Sequence, residues 1–163
     1  MRIAILSDTH DQLARTRVAV RWVVDQGAEA LIHCGDLTGP DVVYGCAALP
    51  SYYVFGNNDF DVEDLRRAMS DVGGVCLGRA GEVTLAGRRI AVTHGDLSGE
   101  MRRLAARSPD YLLFGHTHRR VDERMGPTRR INPGALHRAA AWTVALLDLG
   151  TDFLQFLQIT NRS

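Results

Sequence analysis

Short apolar runs, each closed by a polar turn, set the pattern of this chain. Residues 2–6 are rich in isoleucine and end at Ser7-Asp8, which predicts a buried first strand. Over 13–26 the apolar residues Leu13, Val20, Val23 and Val24 fall at helical spacing, and the segment stops at Gly27. Residues 30–34 read as a second buried strand and 41–49 as a helix opened by Pro40. A third strand follows at 51–55 and a short helix at 62–70. This βαβαβα opening favours a largely parallel sheet covered by helices. The second half changes character. Residues 81–86 and 88–93 around Gly87 predict a hairpin, 99–107 a helix and 110–114 a strand. Strand-like segments then recur at 119–124, 142–148 and 153–159, separated by turn signals at Gly126-Pro127, Pro133-Gly134 and Gly150. An α/β half followed by a strand-rich half predicts two sheets packed face to face with helices outside.

Composition narrows the classes. The 163 residues suit one domain over 1–163, and 45% hydrophobic with 23% charged residues is an ordinary globular mixture. Zero net charge speaks against a strongly electrostatic nucleic-acid binder, which carries a basic surplus. All the cations among the strong bases are arginines, which we read as coding bias. Three widely spaced cysteines, Cys34, Cys46 and Cys76, make no disulfide framework and fit a reducing, cytoplasmic compartment. No apolar run reaches the length of a signal core or a membrane span.

The chemistry sits where the apolar runs stop. Residues 3–6 lead to Asp8-Thr9-His10, and 31–34 to Gly35-Asp36. Residues 52–55 lead to Gly56-Asn57-Asn58-Asp59, 90–93 to His94-Gly95, and 112–114 to Gly115-His116-Thr117-His118. Loops at the carboxyl ends of parallel strands converge on one crevice. In extended backbone, residues two apart point the same way, so Asp8 can join His10 and His116 can join His118 at one centre. Aspartate, histidine and asparagine donors without a thiolate suit manganese, iron or zinc. Seven donors, Asp8, His10, Asp36, Asn57, His94, His116 and His118, exceed one tetrahedral zinc and suit two divalent ions sharing a carboxylate. Two aspartates and a hydroxide would leave such a pair with one positive charge, which a phosphodiester monoanion neutralises.

The ordered set Asp-x-His, Gly-Asp, Gly-Asn-x-Asp, His-Gly and Gly-His-x-His resembles the calcineurin-like metallophosphoesterase superfamily, in particular its small bacterial and archaeal phosphodiesterases. Asn132-Pro133-Gly134 resembles a further signature of that family. The resemblance implies a four-layer α/β/β/α sandwich and two divalent ions, with manganese expected and iron, zinc or nickel acceptable. Asp8, His10 and His118 would hold the first ion, Asn57, His94 and His116 the second, and Asp36 would bridge them. A hydroxide between the ions would attack phosphorus in line. It also implies a small phosphate ester as substrate, no membrane partner and a homo-oligomer as an open option. Many members carry a histidine after the metal-binding asparagine, able to protonate the leaving oxygen. Here Asn58 stands there, with Asp59 next. Asp59, Asn57 and His94 are the residues expected to act in catalysis. Asp59, a poor proton donor when ionised, is expected to orient ligands, so good leaving groups should be favoured. Asp11 replaces the usual glycine and Ala135 the frequent serine, both at the substrate mouth.

Plainer readings compete at several positions. Asp59 could simply cap a helix or turn. His33 and Cys34 read as core residues on a buried strand. Arg119 and Arg120 read as solvated charges, and His137 and Arg138 as a surface loop with the cleft wall as the alternative. The segment 153–159 reads as core or subunit interface. Two other functions share the resemblance: a nuclease or nucleotide pyrophosphatase, and a protein-binding scaffold such as a retromer subunit with this fold. Complete ligands favour catalysis over the scaffold.

Overall fold

The computed structural model describes residues 1–160. Its elements run β1 (Arg2–Leu6), α1 (Leu13–Asp25), β2 (Ala30–His33), α2 (Pro40–Gly45), β3 (Ser51–Tyr53), α3 (Val62–Asp71), β4 (Val75–Cys76) and β5 (Ala80–Leu85). They continue with β6 (Arg88–Thr93), α4 (Ser98–Ala106), β7 (Tyr111–Leu113), β8 (Arg120–Met125), β9 (Thr128–Pro133), β10 (Thr143–Asp148) and β11 (Phe153–Gln158). One sheet has the order β11-β10-β1-β2-β3-β4 and the other β5-β6-β7-β9-β8. The first four strands of the chain pair in parallel, β10 lies antiparallel to β1, and β11 lies antiparallel to β10 at the edge.

Alternation along the strands builds the layers. Ile3 and Ile5 point between the sheets, while Ala4 and Leu6 point to the helices. Val144 and Leu146 join the helix-side core, and Ala145 and Leu147 join the inter-sheet core. The second sheet repeats this: Ile90, Val92 and Leu113 face inward, and Ala91, Leu112 and Leu104 of α4 form a small outer core. Three apolar cores between four layers make the α/β/β/α sandwich that the motifs implied.

Three short elements depart from the expectations, the first being β4, a two-residue strand that no apolar run announced. The helix expected over 41–49 ends at Gly45, and residues after it turn back to β3. Residues 128–133 form a full strand whose last residue is Pro133, at a position expected to be only a turn. Thr128, Ile131 and Asn132 are buried there, so tertiary pairing overrode a proline that lacks a ladder donor.

Candidate metal centre

The strand-end loops of both sheets meet at one rim. Asp8 follows β1, and its two oxygens have different fates. Ser7 Oγ donates to Asp8 Oδ2 at 2.6 Å, and the His116 backbone N–H donates to the same atom at 3.0 Å. Asp8 Oδ1 is buried without a hydrogen-bond partner and faces His118 Nε2 at 3.1 Å and His94 Nε2 at 3.9 Å. Asp36, after β2, lies between the histidines: its Oδ2 is 3.2 Å from His10 Nε2 and 3.4 Å from His94 Nε2.

Backbone carbonyls set the histidine tautomers. His94 Nδ1 lies 2.8 Å from the Cys34 carbonyl, which can only accept, so the proton sits on Nδ1. The Nε2 lone pair is then turned into the site, buried and unpartnered, and His10 Nε2 is likewise buried without a hydrogen-bond partner. His118 Nδ1 is held in the same manner by the Arg138 carbonyl at 3.3 Å. Orphaned buried polar atoms are costly and rare in folded proteins. Three of them, Asp8 Oδ1, His10 Nε2 and His94 Nε2, pointing at one place fit bound cations. Donor atoms of Asp8, His10 and His118 lie within 4.8 Å of one another, as do those of Asp8, Asp36 and His94.

The electrostatics agree. Burial would raise the Asp36 carboxyl, but contacts from His10, His94 and Asn58 outweigh it and hold it well below the usual carboxylate range. The His94 imidazole is lowered by burial yet ends above its ordinary value, because Asp36 and Asp8 favour positive charge there. Asp8 likewise raises His118. Such a site lacks positive charge, which divalent ions supply while displacing protons.

The backbone is bent to this purpose. Asp8, His10, Asp36, His116 and His118 all take left-handed φ values, between 42° and 68°. Each such residue costs on the order of 1 kcal/mol. Gly115 lets the loops close: a Cβ there would strike Ser7 Oγ and lie 2.7 Å from Asp8 Oδ2.

Two predicted members stand apart. Asn57 is exposed and makes no hydrogen bond among the described residues. His116 is exposed too, although its ring meets His94 edge-on with centroids 5.2 Å apart. The amide that touches Asp36 is that of Asn58, donating through Nδ2 to Oδ2 at 2.7 Å and through its backbone N–H to Oδ1 at 2.9 Å. Asp59 is buried and accepts backbone N–H groups of Asp36, Thr38 and Gly56 at 2.9, 2.7 and 2.7 Å. It ties the β2 and β3 loops together, whereas Asp61 caps α3.

His33 belongs to the scaffold. Gly35 N–H donates to its Nδ1 at 3.2 Å, so its Nε2–H donates to Thr9 Oγ1 at 3.2 Å, and Thr9 Oγ1 in turn donates to the Asp36 carbonyl. Burial lowers its pKa to about 4, keeping it neutral. His137, expected on a plain surface loop, lines the site instead: its ring lies over His10 with centroids 4.6 Å apart. Arg79 bridges two site loops, donating to the Gly56 carbonyl at 3.0 Å and to Asp96 at 2.6 Å. No motif pointed to Arg79 or Asp96. Ser7 stood just before a recognised motif and Asn58 inside one, where their neighbours drew the attention.

Five donors, Asp8, His10, Asp36, His94 and His118, gather from four loops. The model of the calcineurin-like phosphoesterase superfamily domain matches residues 1–152. The chain belongs to that superfamily. A phosphodiesterase of Methanocaldococcus jannaschii is 32% identical over 139 residues, covering 82% of this chain and 83% of its own. Phosphodiesterase YfcE of Escherichia coli strain K12 is 27% identical over 151 residues, covering 83% and 79%. Among solved structures, an archaeal phosphodiesterase superposes with a TM-score of 0.89 at 28% identity, covering 98% of this chain and 100% of its own. Vps29 of Entamoeba histolytica, complexed with zinc, superposes with a TM-score of 0.66 at 16% identity over 100% and 95% of the chains, a likeness of fold alone. This phosphoesterase is thus an enzyme of the metallophosphoesterase class, whose fold takes divalent metal ions. None of its helices among the described residues is long and apolar enough to cross a membrane.

Proposed function

We propose that this phosphoesterase is a metal-dependent phosphodiesterase acting on a small phosphate ester with two divalent ions, manganese being preferred. One observation carries the reading: Asp8 Oδ1, His10 Nε2 and His94 Nε2 are buried, unpartnered and aimed at a common space beside Asp36. Asp8, His10 and His118 would hold one ion, His94, His116 and Asn57 the other, and Asp36 would serve both. Oxygen and nitrogen donors without thiolate support manganese, with iron, zinc or nickel as alternatives. Two such ions, when bound, supply Lewis-acid stabilisation of the phosphoryl oxygens and a nucleophile from water near neutral pH.

The chain's own residues prepare that chemistry. Ser7 and the His116 N–H hold one oxygen of Asp8, leaving the other free to bind. The Cys34 and Arg138 carbonyls aim two imidazoles. Asp59 commits both oxygens to backbone N–H groups, so its part is to position the loops bearing Asp36 and Asn57. Asn58 beside Asp36 offers an amide, which cannot protonate a departing alkoxide. Leaving groups should therefore depart as anions. Rates across aryl esters of graded leaving-group pKa should fall steeply as that pKa rises, and a flat series would overturn this.

The reading is tested by hydrolysis of bis-p-nitrophenyl phosphate with added Mn²⁺, beside His94→Ala. Metal-dependent turnover lost in the variant is expected. No turnover in either protein would favour the scaffold reading instead. The free thiols of Cys34, Cys46 and Cys76 support a reducing, cytoplasmic location.

A further inference from the structure

Strand β8 lies at the free edge of the second sheet, six residues long and almost wholly exposed. An uncovered edge of this length offers unpaired backbone donors and acceptors to another strand. Its register shows which ones. Met125 pairs with Thr128 across the two-residue turn Gly126-Pro127, where Gly126 has φ 59°. Hydrogen-bonded pairs alternate from that turn, so Met125, Glu123 and Val121 bond to β9. Arg120 then falls opposite Pro133, whose missing N–H needs no partner at a non-bonded position. The N–H and C=O groups of Arg120, Asp122 and Arg124 consequently face outward.

The charges along residues 119–123 read Arg-Arg-Val-Asp-Glu. Read against itself antiparallel, with Val121 opposite Val121, this places Arg120 against Asp122 and Arg119 against Glu123, twice each. The same alignment makes 120 and 122 the hydrogen-bonded pair across the junction, the two residues whose backbone groups are free. Within the chain, Asp122 and Glu123 have Arg129 and Arg130 as partners, at 2.8 and 2.9 Å. Arg119 and Arg120 have no carboxylate within reach among the described residues, and Arg120 rests over the Phe156 ring at 5.5 Å. Two unpaired cations at one end of an edge strand face two carboxylates at the other, a pattern that repels random strands and fits its own copy.

We propose that β8 pairs with β8 of a second copy about a twofold axis through Val121, joining the two second sheets into one. The paired stretch is short, so the dimer forms at micromolar or higher concentration and weakens with salt. The pairing stands independently of the catalytic reading.

Sedimentation across a concentration series tests it. The wild-type mass should rise toward that of a dimer, while Arg119→Glu and Glu123→Arg should each stay monomeric, with dissociation constants raised by about tenfold or more. Mixing the two variants sets opposite charges against each other again at both ends of the junction and should return the dimer, as should combining both substitutions in one chain. Arg120→Pro removes an outward N–H without touching the β8–β9 ladder and should also abolish it, with its melting temperature confirming the fold. A wild-type protein monomeric throughout, charge variants that dimerise unchanged, or a mixture that stays monomeric would each overturn the proposal.

Discussion

The second sheet carries a polar cluster at each end, and they are built on opposite principles. At the start of β7 and β9, Arg129 holds Asp122 with two nitrogens at 2.8 and 2.9 Å and Asp152 with a third contact at 2.8 Å. Tyr111 donates to Asp152 at 2.8 Å and Arg124 pairs with it as well. Every charge there has an opposite charge, and the donors converge on their acceptors. At the far end of the same strands, Asp8, His10 and His94 each keep a buried atom without a partner. The first cluster is complete in the chain itself. The second is complete only with something added, and its left-handed backbone at five candidate positions adds a further cost. A satisfied network points to stability, and an unsatisfied one to binding.

Four measurements separate the two ends. The largest effect should come from Asp8→Ala, which removes an orphaned oxygen. Metal-dependent phosphodiester hydrolysis should fall on the order of 10³-fold, as for loss of an essential charge at a reacting centre. The melting temperature of the metal-free protein should fall only modestly, since one orphaned oxygen leaves while Ser7 Oγ and the His116 N–H lose their shared acceptor. A large loss of stability with activity retained would erase the distinction between the ends.

Arg129→Leu should do the reverse. It strands Asp122 and takes one of three partners from Asp152, both carboxylates being about one-third exposed, so about 2 kcal/mol is expected, roughly 4–8 °C in melting temperature. Hydrolysis per folded molecule should be unchanged. Arg79→Met comes next: it unties the Gly56 and Asp96 loops, and the Mn²⁺ needed for half activity should rise about tenfold, with the melting temperature nearly constant. Unaltered metal demand would make that pair a surface contact only.

The smallest effect is pH-dependent. Burial would raise the Asp152 carboxyl, yet Arg129 and Tyr111 outweigh it and hold it below its ordinary value. A depressed carboxyl contributes stability that is full above its unfolded pKa, near 3.9, and lost as pH falls through the folded value. The melting-temperature gap between wild type and Arg129→Leu should therefore be constant at neutral pH and shrink below about pH 4. A gap that widens in acid would reverse the assignment.

Much of this was legible in the chain. The apolar run Ile3 to Leu6 foretold a buried strand, and the structure shows its alternate residues serving two cores, as the local side-chain period requires. The positions of Asp8, His10, Asp36, His94, His116 and His118 at strand ends were legible for the same reason. What the chain hid was which neighbour of a motif residue faces inward. Asn57 and Asn58 are adjacent and chemically identical, and only the turn after β3 decides that Asn58 meets Asp36. Arg79 and His137 reach the rim from remote segments, with no spacing to betray them. Strand β9 was masked by Pro133, whose lost donor matters only once its opposite position on β8 is known.

By itself, then, the sequence determined the layers, the loops and the donor types, since periodicity and residue chemistry act within a few residues. Tertiary structure alone decided which oxygen of Asp8 is satisfied and which is bare, and which imidazole nitrogen carries the proton. Those outcomes depend on Ser7, Cys34 and Arg138 arriving from separate loops, and directional hydrogen bonds exist only after the chain has closed around them.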